Sequence, residues 1–373
     1  MPEDRIFFSS QGRIAVAHSD TQRHEFLNFD IPNQVSWNLG PLFSDGRRVV
    51  LFSVEEGKPW SEVVDSHLWV YDIISTELTE IATRERPGAY MPCCFLYNDD
   101  SRMVVNPVID GEQRVVSMEL DGSDQVHITH EGQGYTYCVI MSPDGDRLAF
   151  HAAGPGGYEV YTTDLVGDDR RQVAGGVGHL YFGPSWSCDG QWLAYVDCTP
   201  ATDPGHDWAD ICIGRPDGSE HRVATTGMRQ WFGISYGGPE TRGSGSNIPK
   251  WSPNELVCTY TRTMPHSKTA WQFQTDRPDT DHFNRDYYPE MARGGAQICV
   301  LDPFTGEVTE LTEPGEFYWD FRATWSPDGG QIAFCRSKIG CPSELWVMDA
   351  DGGNQRYLTT GWDDLGADHP TWG

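Results

Sequence analysis

The stretch ATWSPDGGQIAF at 323–334, followed by ELWVMDADGGNQRYLTTG at 344–361, decides the fold. It reads as a short strand ending in an aromatic, a tight Ser-Pro-Asp-Gly turn and an alternating strand. A variable loop, a third strand, an Asp-x-x-Gly type turn and a fourth strand follow. The same grammar returns in PSWSCDGQWLAY (184–195), VIMSPDGDRLAF (139–150) and PKWSPNELVCTY (249–260), each with its own second half. Weaker copies are PLFSDGRRVVLF (41–52) and FLYNDDSRMVV (95–105). A fixed period outweighs every other prior, because each repeat is one unit that buries its faces only against its neighbours. Four antiparallel strands per unit make one propeller blade.

The two ends supply one more unit. HPTWG at 369–373 matches a first strand whose continuation is missing, and SSQGRIAVAHS with HEFLNFD matches later strands whose first strand is missing. Pairing them gives a single all-β domain over 1–373, a seven-bladed β-propeller with one blade closed by both the N- and C-terminal strands. Seven blades in 373 residues is about 53 per blade, above the roughly 40–45 usual for such repeats. The excess sits in insertions at 199–210, 227–249 and 263–295.

Composition narrows the partners. With 55 Asp and Glu against 27 Lys and Arg, the formal net charge is −28, which repels phosphate backbones and anionic membrane surfaces. No nucleic acid or membrane partner is expected. No stretch nears the roughly 20 apolar residues of a membrane span, and the first thirty residues lack a secretory pattern, so the expected location is cytoplasmic. The ten cysteines form no Cys-x-x-Cys pair; Cys212, Cys258, Cys299 and Cys335 lie in apolar runs and read as reduced, packed thiols.

The motif resembles the WD40-like (PD40) repeats of TolB-type β-propellers over nearly the whole chain. In such a blade the long connections share one face while the Ser-Pro-Asp-Gly and Asp-x-x-Gly turns lie on the other. Variable loops on a rigid frame carry function, which points to the first face. His18, His67, His130, His151, His179, His206, His266, His282 and His369 fall in or beside its connections. At the mouth of the channel, the positions three before each blade aromatic are Gly40, Cys138, Gly183, Ile248, Arg322 and His369, with Asp320, Asp368 and Tyr137 beside them. The 263–295 insertion brings Trp271, Gln272 and Arg285 toward that mouth, along with His266 and His282. Earlier connections add His206, Trp208, Trp231 and Tyr236. Aromatics interleaved with hydrogen-bonding side chains suit a sugar. The GSGS run at 243–246 suggests a flexible gate.

The chain also resembles, distantly, the oligogalacturonate lyases. That resemblance implies metal-assisted β-elimination on uronate-containing oligosaccharides, with a divalent cation, Mn²⁺ in the family, absorbing the charge that proton abstraction creates. In the closing blade the family's His-x-His-Pro-x-aromatic metal motif corresponds to Ala367, Asp368, His369, Pro370, Thr371 and Trp372. His369 matches the second ligand; Ala367 departs from the first, and Ile248 stands where the family carries its base. The expected site is therefore a metal set of His369, Asp368, Asp320 and His282 with His266, His206 and Arg322 as catalytic groups. Trp208, Trp231, Tyr236, Trp271, Gln272, Tyr137 and Arg285 would contact a small oligosaccharide. The alternatives are a non-catalytic TolB-like propeller that binds a protein or peptide, and an enzyme acting on another carbohydrate.

Overall fold

A computed structural model describes residues 5–21, 23–57, 66–81, 86–88, 93–154, 157–198, 208–227, 229–238, 243–265, 267–268, 271–272, 286–287 and 289–373. The one helical element among them is a 3₁₀ turn at Pro289–Met291; the rest is strand and turn. Four antiparallel sheets of four strands stand apart, and one of them joins the chain ends in the spatial order 24–26, 13–18, 5–10, 368–372. Its pairing places Ile6 opposite Trp372 and Ser9 opposite Asp368.

The other repeats run together in a 13-stranded sheet. Along it the four-strand meander returns at 181–223, 250–310 and 318–357, but two contacts stitch these units into one sheet. Strand Gln230–Trp231 pairs on both sides, and Ala296 pairs in parallel with Trp319. Pairing alone therefore separates four blades rather than the expected seven, because an inserted strand bridges two neighbours.

The repeat grammar has a structural cause at each step. In the Ser-x-Asp-Gly turns, Ser142, Ser187 and Ser326 each donate to the Asp two residues on and accept the backbone N–H five residues on. The glycine ends the turn at positive φ, 71° at Gly329. The aromatic before the turn ties neighbouring units. The indole N–H groups of Trp251, Trp325 and Trp372 donate to the carbonyls of Ser185, Lys250 and Thr324, each on the innermost strand of the preceding unit. At the outer end, Thr129, Thr225, Thr312 and Thr359 accept the N–H groups of Val115, Ile211, Ile298 and Leu345 at 2.8–3.1 Å. These threonines are the recurrent Thr of the HITH, VATTG, ELTEPG and YLTTG segments.

Apolar clusters fill the spaces between sheets. One joins Ile6, Phe8 and Ala15 of the terminal sheet to Ala333, Leu345 and Val347 of the preceding repeat. Cys212, Cys258, Cys299 and Cys335 are fully buried and free. No helix among the described residues is long and apolar enough to cross a membrane.

Thr359 is 2% exposed. Thr359→Val keeps its shape but leaves the Leu345 N–H unpaired, which costs about 1–3 kcal/mol. Urea unfolding is expected to show a lower midpoint at unchanged slope; an unchanged midpoint would remove the threonine from the account of the repeat.

Candidate functional site

Four innermost strands carry a bulge with a left-handed residue at the same repeat position, and the strand Gln34–Leu42 shifts register there too, at Gly40, without one. The register shifts between Tyr137 and Ile140, between Phe182 and Ser185, between Phe321 and Thr324, and opposite Phe7–Ser9 in the closing strand. The residue inside each shift is left-handed: Cys138 (φ 49°), Gly183 (60°), Arg322 (52°) and His369 (51°). A bulge re-aims a side chain. Holding a non-glycine residue in this region costs about 1–3 kcal/mol, and such strain gathers at functional sites. These are the positions that the spacing before the blade aromatic singles out, and here Arg322 and His369 do come together.

Between them lies Asp368, 8% exposed. It forms an ion pair with Arg322 through Nη1 and Oδ1, accepts the Tyr236 hydroxyl on Oδ2 at 2.6 Å, and accepts the His369 backbone N–H on Oδ1 at 2.7 Å. The His369 ring sits over it, Nδ1 to Oδ2 3.5 Å. Burial alone would raise the pKa of Asp368; the charges of Arg322 and His369 and the bonds from Arg322 and Tyr236 outweigh it and hold the carboxyl at about 2. For His369 the surrounding protein and then the Arg322 charge lower the pKa, Asp368 opposes them, and the result is about 4. More than half of its side chain, 56%, is open to solvent, so water softens that depression. The ring is neutral at neutral pH.

Tyr236 arrives from the inserted connection. Gly233–Tyr236 and Gly243–Ser246 form an antiparallel hairpin docked against the Tyr236–Phe321 ring contact, 4.9 Å between centroids. The expected gate is thus a paired strand. Its glycines serve close approach: a Cβ on Gly245 would meet Arg322 Nη2 at 2.5 Å, and one on Gly243 would meet the Tyr236 ring at 2.1 Å. Asn247, just beyond, accepts the Arg322 backbone N–H at 3.2 Å.

Several expected site residues are used elsewhere. Asp320 is fully buried and both its oxygens accept from Arg336, at 2.7 and 2.8 Å; burial raises its pKa against the pull of that guanidinium. It is one half of a structural ion pair with Arg336. Trp231 is fully buried with its ring 4.7 Å from Trp319, and Trp208 pairs beside it in the same apolar cluster. Tyr137 is 6% exposed against His151. These aromatics are core, closed to a sugar: Trp231 and Trp208 pair across neighbouring strands, and Tyr137 packs against His151 and Tyr158. Trp271 and Gln272 lie in a two-residue strand opposite Tyr287 and Asp286. His206, His266, His282 and Arg285 lie outside the described residues.

A divalent cation needs several converging oxygen or nitrogen donors. Among the described residues no three His, Cys, Asp or Glu side chains are so placed. Asp368 and His369 do meet, but Asp368 already serves Arg322 and Tyr236, and that guanidinium occupies the place a cation would take. These residues do not fit a metal centre. Elsewhere His151 is buried, its pKa lowered by burial to about 3, and His179 is held by Asp197 at 2.7 Å. The first-face histidines that are described are therefore dispersed among separate partners.

Beside the tie opens a cleft of about 490 Å³. Its walls are the chain-end sheet and its turn (Ser9, Ser10, Gln11, Gly12), the segment Ser36–Asn38, the hairpin residues Tyr236 and Gly243, Pro342–Ser343, and Asp364–His369.

No family model matches the chain. Over 81 residues, 21% of its length, it is 36% identical to the Tol-Pal system protein TolB 1 of Novosphingobium aromaticivorans, and the match spans 17% of that relative. Among solved structures, a puromycin hydrolase variant superposes on 96% of the chain with a TM-score of 0.63 at 14% identity, and the chain covers 52% of that protein. The oligogalacturonate lyase of Vibrio parahaemolyticus superposes on 90% of this chain and 82% of its own, with a TM-score of 0.55 at 12% identity. At that level of identity the likeness is one of fold. The chain is an all-β propeller. Over the 81 matched residues its repeats are similar to those of TolB.

Both ionisable groups give stability a pH dependence of one sign. His369 binds its proton less readily folded than unfolded, so stability falls as pH drops from its ordinary 6.5 toward about 4. Asp368 contributes fully above its ordinary 3.8 and loses that contribution as pH falls from there to about 2, a change of about 2 kcal/mol. Stability measured by urea unfolding across pH 7 to 4 is expected to decline, and His369→Gln to flatten that part alone. Asp368→Asn strands the buried Arg322 charge and is expected to cost about 3–5 kcal/mol at pH 7; a loss below 1 kcal/mol would show that the tie does not hold the closing strand.

Proposed function

We propose that this is a seven-bladed propeller that works by binding, with a peptide or protein segment held in the cleft beside the closing strand. The count takes each of the four separate four-stranded sheets as one blade and the 13-stranded sheet as three. The observation that carries the binding reading is the commitment of Asp368 to Arg322 and Tyr236. The most polar group at the mouth builds the wall of the cleft and is not free to handle protons or a metal. Two replacements support it. Ile248, where the lyase family carries a base, packs beside Phe182 and against Gly183; Ala367, where the family carries its first ligand, is 1% exposed.

A second reading keeps the carbohydrate lyase. Its support is His369, neutral and open beside a guanidinium, which is the pairing of a proton acceptor with a stabiliser of developing negative charge. In that reading His369 takes the proton next to a uronate carboxylate.

Incubation with saturated and unsaturated oligogalacturonates, with Mn²⁺ or with chelator, separates the two. The binding reading expects no rise in the ultraviolet absorbance of a new C=C bond under either condition. A rise that His369→Gln abolishes would replace it with the lyase.

A further inference from the structure

We propose that the cleft seats a cationic, proton-donating group, the guanidinium or ammonium of a basic peptide. This rests on the binding reading and names the chemistry of its ligand. The argument is an account of hydrogens. Each serine hydroxyl has one proton and two lone pairs. Ser9 Oγ donates to the carbonyl of Asp368 and Ser10 Oγ to that of Leu365, both at 3.1 Å, and Ser343 Oγ donates to the carbonyl of Ala367. Asn38 spends an amide proton on the Ser36 carbonyl at 2.9 Å, and Gln11 spends one on the Asp364 carbonyl at 3.5 Å. The serine protons thus go to backbone carbonyls and leave oxygen lone pairs at the wall, beside one remaining amide hydrogen each on Asn38 and Gln11 and one ring N–H on neutral His369.

Charge follows the same sign. The charged or titratable groups at the cleft are Asp364, Asp368, His369 and the Tyr236 phenol, which burial keeps protonated, with Arg322 behind Asp368. Arg322 balances Asp368 and His369 is neutral, which leaves the exposed Asp364 carboxylate at the rim as the uncompensated charge. No lysine or arginine lines the cleft among the described residues, and the chain as a whole is at −28, so the field draws cations. The sign of the charge discriminates among ligands: a uronate carboxylate is repelled by Asp364, and a neutral sugar gains nothing from it. A guanidinium carries five N–H donors and no acceptor, and an ammonium three.

The test is calorimetric titration of the full chain with tri-arginine amide, its citrulline counterpart, maltotriose and tri-galacturonate at low and physiological salt. The expected result is binding of tri-arginine amide, at least tenfold weaker binding of the uncharged citrulline peptide, and no binding of either saccharide. Asp364→Asn, a surface change, is expected to weaken tri-arginine amide about tenfold. Glu307→Gln, an equal charge change away from the cleft, should leave it within twofold, which excludes a diffuse attraction to the acidic surface. Equal binding of arginine and citrulline peptides, or equal effects of the two substitutions, overturns the cationic seat while leaving a binding propeller standing. Binding of tri-galacturonate with release of an unsaturated product overturns both readings. Absence of any binding overturns the seat.

Discussion

The structure depends on the antiparallel pairing of Asp368–Trp372 with Arg5–Ser10. Each unit of the propeller buries its faces against its neighbours, so the sheet holding both chain ends is the one whose formation requires the most distant parts of the chain to meet. Its closing strand is held on three sides. Ser9 lies opposite Asp368, the Trp372 indole donates to Thr324 in the preceding repeat, and Arg322 with Tyr236 grips the Asp368 carboxylate. Hydrophobic packing supplies the bulk of the energy; these polar ties set the register.

That register also makes the cleft. The bulge that turns His369 into a left-handed conformation turns its ring toward the channel mouth, while Asp368 beside it faces Arg322. The inserted hairpin then packs Tyr236 against Phe321 and completes the wall. One buried carboxylate therefore does three things: it neutralises Arg322, anchors an insertion and fixes the end of the chain. A group so committed is poorly suited to proton transfer.

Much of this was legible in the chain. The Ser-Pro-Asp-Gly turn, the aromatic before it and the recurrent threonine are local devices whose hydrogen bonds close within one repeat or with the next, so they can be read as a pattern. Arg322 and His369 could be placed at the mouth from their offset to Trp325 and Trp372 alone. Asp320 misled, because its partner Arg336 lies across a hairpin and nothing in the spacing distinguishes a paired carboxylate from a free one. Trp208 and Trp231 misled in another way: a loop aromatic reads as a ligand contact until it is seen paired across neighbouring strands in the core. The GSGS segment carried a usable signal, since small residues mark backbone approaching a neighbour as well as flexibility.

By itself, then, the sequence determined the repeating strand pattern, the joining of the two ends in one sheet and the offset that aims certain residues at the channel, all consequences of period-two alternation and turn chemistry. Tertiary structure alone decided which carboxylate would be free and which paired, where Tyr236 would dock, and that three repeats would be stitched into one sheet. Those outcomes turn on contacts between residues as far apart as Tyr236 and Asp368. Their geometry is set by the packing of whole units, and no local pattern encodes it.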